Sequence, residues 1–497
     1  MAKDRNSYIS IIKATSLFGG VKILQIIISI IRSKFIAVLL GPTGMGIAGL
    51  ISSSTDIISS LTGFGLRTSG IREVSQAYST GDDLRKNTTI TVLRKLVLLT
   101  GITGTILTFL LSSHLSEWAF GNKDYSLAFK MVSIILLFNQ INIGQMVLLQ
   151  GTYRYKDIAK STLYGSILGL ILTVPLYYLW GIDGIVPAII IASLIQLLLS
   201  WYYTRKISYK KINLTIKQSF SEGKVMLTLG IAIAATGFAT QGTAYLVRVF
   251  ISNYGSIADV GLYTAGIAIA TTYVGLVLNA MSTDYSPRLA SVANNGKDLI
   301  KVINKQAVLL VTTLAPLIIL FIVFIKQVVI ILYSNKFIEI TGMIEWVMLG
   351  MFFRAISWSI SFSFVARGDS RIFFLNELVA NVYSISLSVI GYILFGLVGL
   401  GMAFLFSYTL YTIQMYLVAK KRFLFSFNAD FRAIFIPQII LTFLCFVITK
   451  IVGYNAYRYI VGILFVTITL WISYKRLSKM IDIPLVIENI KNRITHK

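Results

Sequence analysis

Four residues on one apolar stretch carry the first chemistry. Lys22, Gln25, Ser29 and Arg32 are spaced 3, 4 and 3 apart, which on a helix confines them to an arc of about 80°. Two cations and two hydrogen-bonding groups on one face, with no carboxylate among them, suit an anion that accepts charge-assisted hydrogen bonds. A basic side chain at mid-membrane costs about 2.5–3.5 kcal/mol on insertion scales, so it needs a cavity, a partner or a route to the surface. Lys22 falls about 14 Å into its stretch, near the midplane, and the stripe reads as a cavity wall. Arg32 has the alternative of snorkelling outward, and Lys34, which points away from the stripe, takes that route.

The next stretch carries Ser52, Asp56, Ser59 and Gly63 on one face. Folding the two stretches about Gly41–Gly44 sets Asp56 opposite Ser29 and within a turn of Arg32, so an Arg32–Asp56 pair is expected. It would be either a structural ion pair or one that opens when substrate or a proton arrives. Further along, Arg248 follows Gln241 by seven residues, Arg354 leads Ser357 and Ser361, and Glu377 leads Asn381, Ser384 and Ser388, all at helical spacing. Asn139, Asn142 and Gln145 could hydrogen-bond sugar hydroxyls or neighbouring helices. The serines serve helix packing as readily as a cavity wall. The candidate substrate-binding set is Lys22, Gln25, Arg32, Asp56, Arg248, Arg354 and Glu377.

The elements that hold these residues are set by composition. Of 497 residues 56% are hydrophobic and only 13% charged, with a mean hydropathy of +0.77, whereas a soluble domain carries about 25% charged residues. The chain is therefore expected to be all-α and polytopic in a membrane, since a span needs about 20 apolar residues. Fourteen such stretches are present: 13–40, 44–66, 93–113, 127–150, 160–180, 184–203, 225–251, 260–284, 305–331, 343–366, 373–394, 397–420, 432–452 and 458–475. The runs are too long, and alternate too little, for membrane strands. No cleaved signal precedes the first span.

Charge sets the orientation. With the N-terminus inside, 34 of the 45 basic residues fall in cytoplasmic segments and their flanks and six in outer ones: Lys123, Lys130, Lys326, Lys336, Lys450 and Arg458. The remaining five lie within spans. This bias puts both termini in the cytoplasm and makes the net charge of +25 an anchor to anionic membrane lipids instead of a nucleic-acid footprint. One cysteine and two histidines leave no disulfide and no zinc cluster. No Walker A sequence is present, and no cofactor is expected.

The chain also repeats itself. At an offset of 215 residues Phe35-Ile36 meets Phe250-Ile251, Gly46 meets Gly261, and Gly81, Asp83, Leu84 and Lys86 meet Gly296, Asp298, Leu299 and Lys301. Gly181 and Gly184 meet Gly396 and Gly399. Each unit holds six spans, an even number, so the copies share one orientation. Parallel halves of this kind occur in transporters. The expected organisation is a six-helix lobe at 1–218, a second at 219–424, and an added helix pair with a cytoplasmic tail at 425–497.

Gly41-Pro42 followed by Gly46, Gly63-Phe64-Gly65-Leu66 followed by Arg72-Glu73, Gly261-Leu262-Tyr263, and Pro287-Arg288-Leu289-Ala290 together resemble the polysaccharide flippases, including O-antigen translocases, of the multidrug/oligosaccharidyl-lipid/polysaccharide exporter superfamily. The resemblance covers nearly the whole chain, and its motifs specify fold better than substrate. It implies a flippase, not an enzyme, that moves undecaprenyl-diphosphate-linked oligosaccharide across the bacterial inner membrane, with a downstream polysaccharide polymerase as a partner. The basic bias of the first span favours such an anionic head group over the cations that a drug exporter of the same superfamily handles. A cation-coupled small-molecule exporter is the alternative. A membrane glycosyltransferase fits poorly, because the longest outer loop, 114–126, carries only Glu117 and Asp124 as acids.

Overall fold

The computed structural model describes residues 2–480, with the side chains of 2–19, 22, 232, 233, 236, 479 and 480 outside the described set. The helices are α1 (Ala2–Thr62), α2 (Leu66–Ser79), α3 (Asp83–Leu110), α4 (Ser112–Phe120), α5 (Ser126–Gly151), α6 (Tyr155–Trp180), α7 (Ile185–Thr204) and α8 (Ile216–Glu222). They continue as α9 (Lys224–Tyr254), α10 (Ile257–Ser291), α11 (Gly296–Leu332), α12 (Thr341–Ala366), α13 (Ser370–Phe423), α14 (Ala429–Val452) and α15 (Ala456–Met480). Among the described residues there is no strand. In hydrocarbon a helix satisfies every backbone group within its own segment. Its hydroxyls do likewise: Ser54, Thr108 and Thr312 donate to the carbonyls four residues back.

Ten helical stretches among the described residues are long and apolar enough to cross a membrane. Three of them, of 40, 50 and 54 residues, each contain two of the expected spans. They break at Gly41 (φ 67°), at Gly181 (φ 54°) and at Gly396 (φ 57°). The remaining expected span, 225–251, lies on α9, so each of the fourteen stretches falls on a helix.

The 215-residue offset reappears in backbone geometry. Gly181 and Gly396, one offset apart, both adopt left-handed φ with ψ of −128° and −138°. Tyr153 (φ 59°) and Gly368 (φ 77°) are one offset apart. The reversal around each closes with the same bonds: Arg154 N donates to Leu149 O at 2.8 Å, and Asp369 N to Phe364 O at 2.8 Å. Gly46 and Gly261 show why the shared motifs need glycine. A Cβ on Gly46 would lie 1.9 Å from Ile257 O, and one on Gly261 would lie 1.9 Å from Pro42 O. Each contact is the other's image under the offset.

By packing the chain forms two compact units, 1–261 with 332–336 and 262–331 with 337–497. In the first, α9 packs against α1 and α2. The Gly63-Phe64-Gly65 motif is the turn before α2, with φ of 45° at Phe64 and 58° at Gly65, and Gly65 lies against the backbone of Gly230. Leu66, Leu93, Val97, Val147 and Met226 close the core of α2, α3, α5 and α9. The segment after α7 is strapped to α3: Lys210 N donates to Asn87 Oδ1 at 3.0 Å, and Arg94 donates to Tyr209 Oη at 2.9 Å. In the second unit α12 lies along α13, and α14 pairs with α15. Ile319, Val323 and Cys445 form a fully buried cluster there.

Candidate functional site

In the first unit, the second limb of α1 presents Ser52 and Asp56 on an accessible face. The expected Arg32–Asp56 pair is not formed among the described residues. The cation whose charge reaches Asp56 is Arg248, on α9, which is held by a hydrogen bond of 3.0 Å from Nη1 to Ala244 O. The hinge position accounts for the difference. Only Gly41 leaves helical geometry, so Arg32 lies nine residues before the hinge and Asp56 fifteen after it. Six residues of offset amount to about 9 Å along the axis, too far for an ion pair. Arg32 is half-buried and Lys34 exposed; the side chain of Lys22 lies outside the described residues.

Gln25 does line a cavity. A space of about 480 Å³ within the first unit is bordered by Gln25, Arg67, Asn142, Gln150, Thr162 and Gln196, with apolar side chains between them. These come from α1, α2, α5, α6 and α7. Among the described residues no carboxylate borders it. Asn142 Oδ1 is buried there without a hydrogen-bond partner in the protein.

The second unit brings together Arg354 and Glu377. A cavity of about 290 Å³ lies between α12 and the two limbs of α13, and Ser357, Ser361, Asn381 and Ser384 border it with them. Glu377 accepts a hydrogen bond from the Tyr411 hydroxyl. Arg354 stacks over the Tyr408 ring, 5.6 Å from its centroid, and among the described residues its guanidinium makes one hydrogen bond, to the Met351 sulfur 3.9 Å away.

The two cavities occupy one register. Subtracting 215 from Ser357, Ser361, Phe362, Val365, Phe373, Glu377 and Tyr411 gives Asn142, Met146, Val147, Gln150, Ile158, Thr162 and Gln196. All seven positions border both spaces, so the halves hold the same pocket with different chemistry: amides and one arginine in the first, an acid, a base and aromatic rings in the second. Among the described residues no cluster of three or more His, Cys, Asp or Glu side chains could hold a metal ion.

The polysaccharide biosynthesis protein family matches residues 35–342 of the chain. The chain belongs to this family. The lipid III flippase of Escherichia coli (strain K12) is 21% identical over 378 residues, covering 74% of this chain and 88% of that protein. Among solved structures, the lipid II flippase MurJ in an inward closed conformation matches with a TM-score of 0.70 at 16% identity, over 93% of this chain and 99% of that one. A multidrug resistance MATE family transporter of the MOP superfamily in an inward-facing conformation matches with a TM-score of 0.68 at 16% identity, over 80% and 94%. These likenesses show the fold, and this family member is a multi-pass membrane protein.

Residue spacing missed one ionic centre in this polysaccharide biosynthesis protein. Glu345 on α12 and Arg458 on α15 are each 1% exposed and pair at 2.7 Å. Arg458 also donates to Val323 O and Ile322 O on α11 and to Thr449 O on α14. The carbonyls of 322 and 323 are open to it because α11 leaves helical geometry at Phe324. Lys450 pairs with the other Glu345 oxygen. Burial pushes the Tyr454 hydroxyl, in the turn between α14 and α15, up to about 12, so it keeps its proton and donates to Glu345 at 3.2 Å. Lys450 and Arg458 look like ordinary outer flanks in the sequence. A search for lone acids inside apolar runs would have stopped at Glu345.

Proposed function

We propose that the chain flips undecaprenyl-diphosphate-linked oligosaccharide across the bacterial inner (cytoplasmic) membrane by alternating access. The observation that carries this reading is the polarity of the first-unit cavity. Among the described residues it offers Arg67 and four amides, Gln25, Asn142, Gln150 and Gln196, and no carboxylate. Such a surface suits a glycosylated phosphate and discourages a cation. The likeness to a protein named lipid III flippase supports it.

In this reading both termini are cytoplasmic, 1–218 and 219–424 are the moving lobes, and 425–497 is an addition. Lys22, Gln25 and Arg32 on α1 draw the head group from the inner leaflet. Arg248, restrained by Asp56, stands further along the path, and Arg354 with Glu377 serves the glycan half. The chain spends no ATP and catalyses no bond change; a polysaccharide polymerase downstream consumes the delivered substrate. The alternative, a cation-coupled exporter of small molecules, draws support from two acids, Asp56 and Glu377.

A charge series at Lys22 tests the path. Lys22→Ala should abolish surface polysaccharide while the protein inserts normally, and Lys22→Arg should retain part of the export. Lys22→Glu should be worst, with lipid-linked oligosaccharide accumulating on the inner leaflet. Wild-type export by Lys22→Glu at normal protein levels would remove Lys22 from the path.

A further inference from the structure

The second-unit cavity carries more hydrogen-bonding capacity than the protein uses. Ser407 is 5% exposed, and its Oγ has no hydrogen-bond partner in the protein; neither does the buried Nδ2 of Asn381. Both residues border the cavity. A buried polar group left unpaired costs about 1–3 kcal/mol, so the site is built for something that both donates and accepts. Arg354 has most of its N–H groups uncommitted, and Glu377, engaged by Tyr411, still has acceptor capacity.

The walls narrow the choice. Trp358, Tyr383, Tyr408 and Tyr411 present rings to the same space, whereas no aromatic residue borders the equivalent cavity of the first unit. A lipid tail has no use for the polar groups. A phosphate meets Glu377, and an organic cation meets Arg354. A sugar ring has an apolar face to lay on an aromatic ring and hydroxyls that donate and accept around its edge. The volume of about 290 Å³ sits at the small end of the roughly 300–1,000 Å³ typical of ligand sites, enough for one ring.

We propose that this cavity is a glycan subsite, in which one neutral hexopyranose unit of the oligosaccharide lies against Tyr408 with its hydroxyls shared among Arg354, Glu377, Asn381 and Ser407. The inference rests on the flippase reading and adds where, and through what chemistry, the glycan is held.

Saturation-transfer NMR on the full chain in lipid nanodiscs tests it. The probes are methyl α-glucopyranoside, methyl β-galactopyranoside and N-acetylglucosamine, with inorganic phosphate and tetraethylammonium as competitors. At least one neutral sugar should receive transfer at its ring protons, and neither competitor should displace it. Tyr408→Phe should keep the signal. Tyr408→Ala and Glu377→Gln should each weaken apparent affinity about tenfold, as expected for one lost contact of 1.4 kcal/mol. If Tyr408→Ala does not fold, Ser407→Ala takes its place, with a smaller loss in the same direction. No transfer to any neutral sugar, displacement by tetraethylammonium, or unchanged binding in Glu377→Gln would overturn the subsite. Deleting the gene separates the two ideas. Sugar binding with surface polysaccharide intact in the deletion strain keeps the subsite and removes the flippase. Lost polysaccharide with no sugar binding does the reverse.

Discussion

Two places in the second unit hold an arginine and a glutamate inside the helical bundle, and they are built in opposite ways. Arg458 and Glu345 are fully buried, and the guanidinium is spent on Glu345 and three carbonyls from two helices. Arg354 and Glu377 border an open cavity; among the described residues the guanidinium hydrogen-bonds a thioether and lies over a ring face, and the acid is engaged by one tyrosine. The contrast separates two uses of charge in a membrane. A satisfied pair ties helices together, here α15 and α14 to α11 and α12. An unsatisfied pair beside a cavity keeps its capacity for a ligand. Intramembrane charge is thus no functional sign by itself; what its hydrogen bonds are spent on decides.

The contrast is most easily broken at Arg458. Arg458→Ala leaves the buried Glu345 with only Lys450 and the Tyr454 hydroxyl and strands carbonyls on α11 and α14. It should cost about 3–5 kcal/mol, the usual penalty for breaking a buried pair from one side. Thermal unfolding of the purified protein should show it as a large fall in Tm and in yield. Replacing both partners, Glu345→Leu with Arg458→Leu, should be milder than Arg458→Ala alone, because no uncompensated carboxylate remains. A double variant worse than the single would mean that the carbonyl bonds of Arg458 outweigh its pairing. The smallest effect on folding belongs to Arg354→Gln, which removes a charge but no ion pair. Its unfolding free energy should stay within the scatter of surface substitutions, about 0.5 kcal/mol, so Tm barely moves, while oligosaccharide export falls severalfold. A fall in Tm as large as that of Arg458→Ala would erase the distinction.

What the sequence disclosed follows the same division. The long apolar helices were legible because hydrocarbon imposes their length and forces their helicity. The polar faces of α12 and α13 were legible because Arg354, Ser357 and Ser361, and likewise Glu377, Asn381 and Ser384, sit on single helices whose 3.6-residue period aligns them, but not that the two faces border one cavity. Pairing between helices was not legible. The Arg32–Asp56 expectation failed on a hinge at Gly41 alone, which moved the register by three residues, almost one turn, and left the two side chains six residues out of step. Glu345 and Arg458 are 113 residues apart, and no local pattern announces that α12 and α15 meet. The equivalence of the two cavities lay hidden for a different reason. The 215-residue offset was visible in glycines and one polar loop, but Thr162 against Glu377 and Gln196 against Tyr411 share no chemistry from which a common role could be read.

Reconstitution is the sharpest test of whether the chain carries a glycan head group across a bilayer. The purified chain would be placed in proteoliposomes with lipid-linked oligosaccharide loaded in the inner leaflet, and the glycan reaching the outer leaflet followed with a membrane-impermeant lectin. Lectin-accessible glycan should rise well above that of protein-free vesicles, and Lys22→Glu and Arg354→Gln vesicles of equal protein content should lag behind. Accessibility no greater than in protein-free vesicles, with the protein folded and correctly inserted, would contradict such transport.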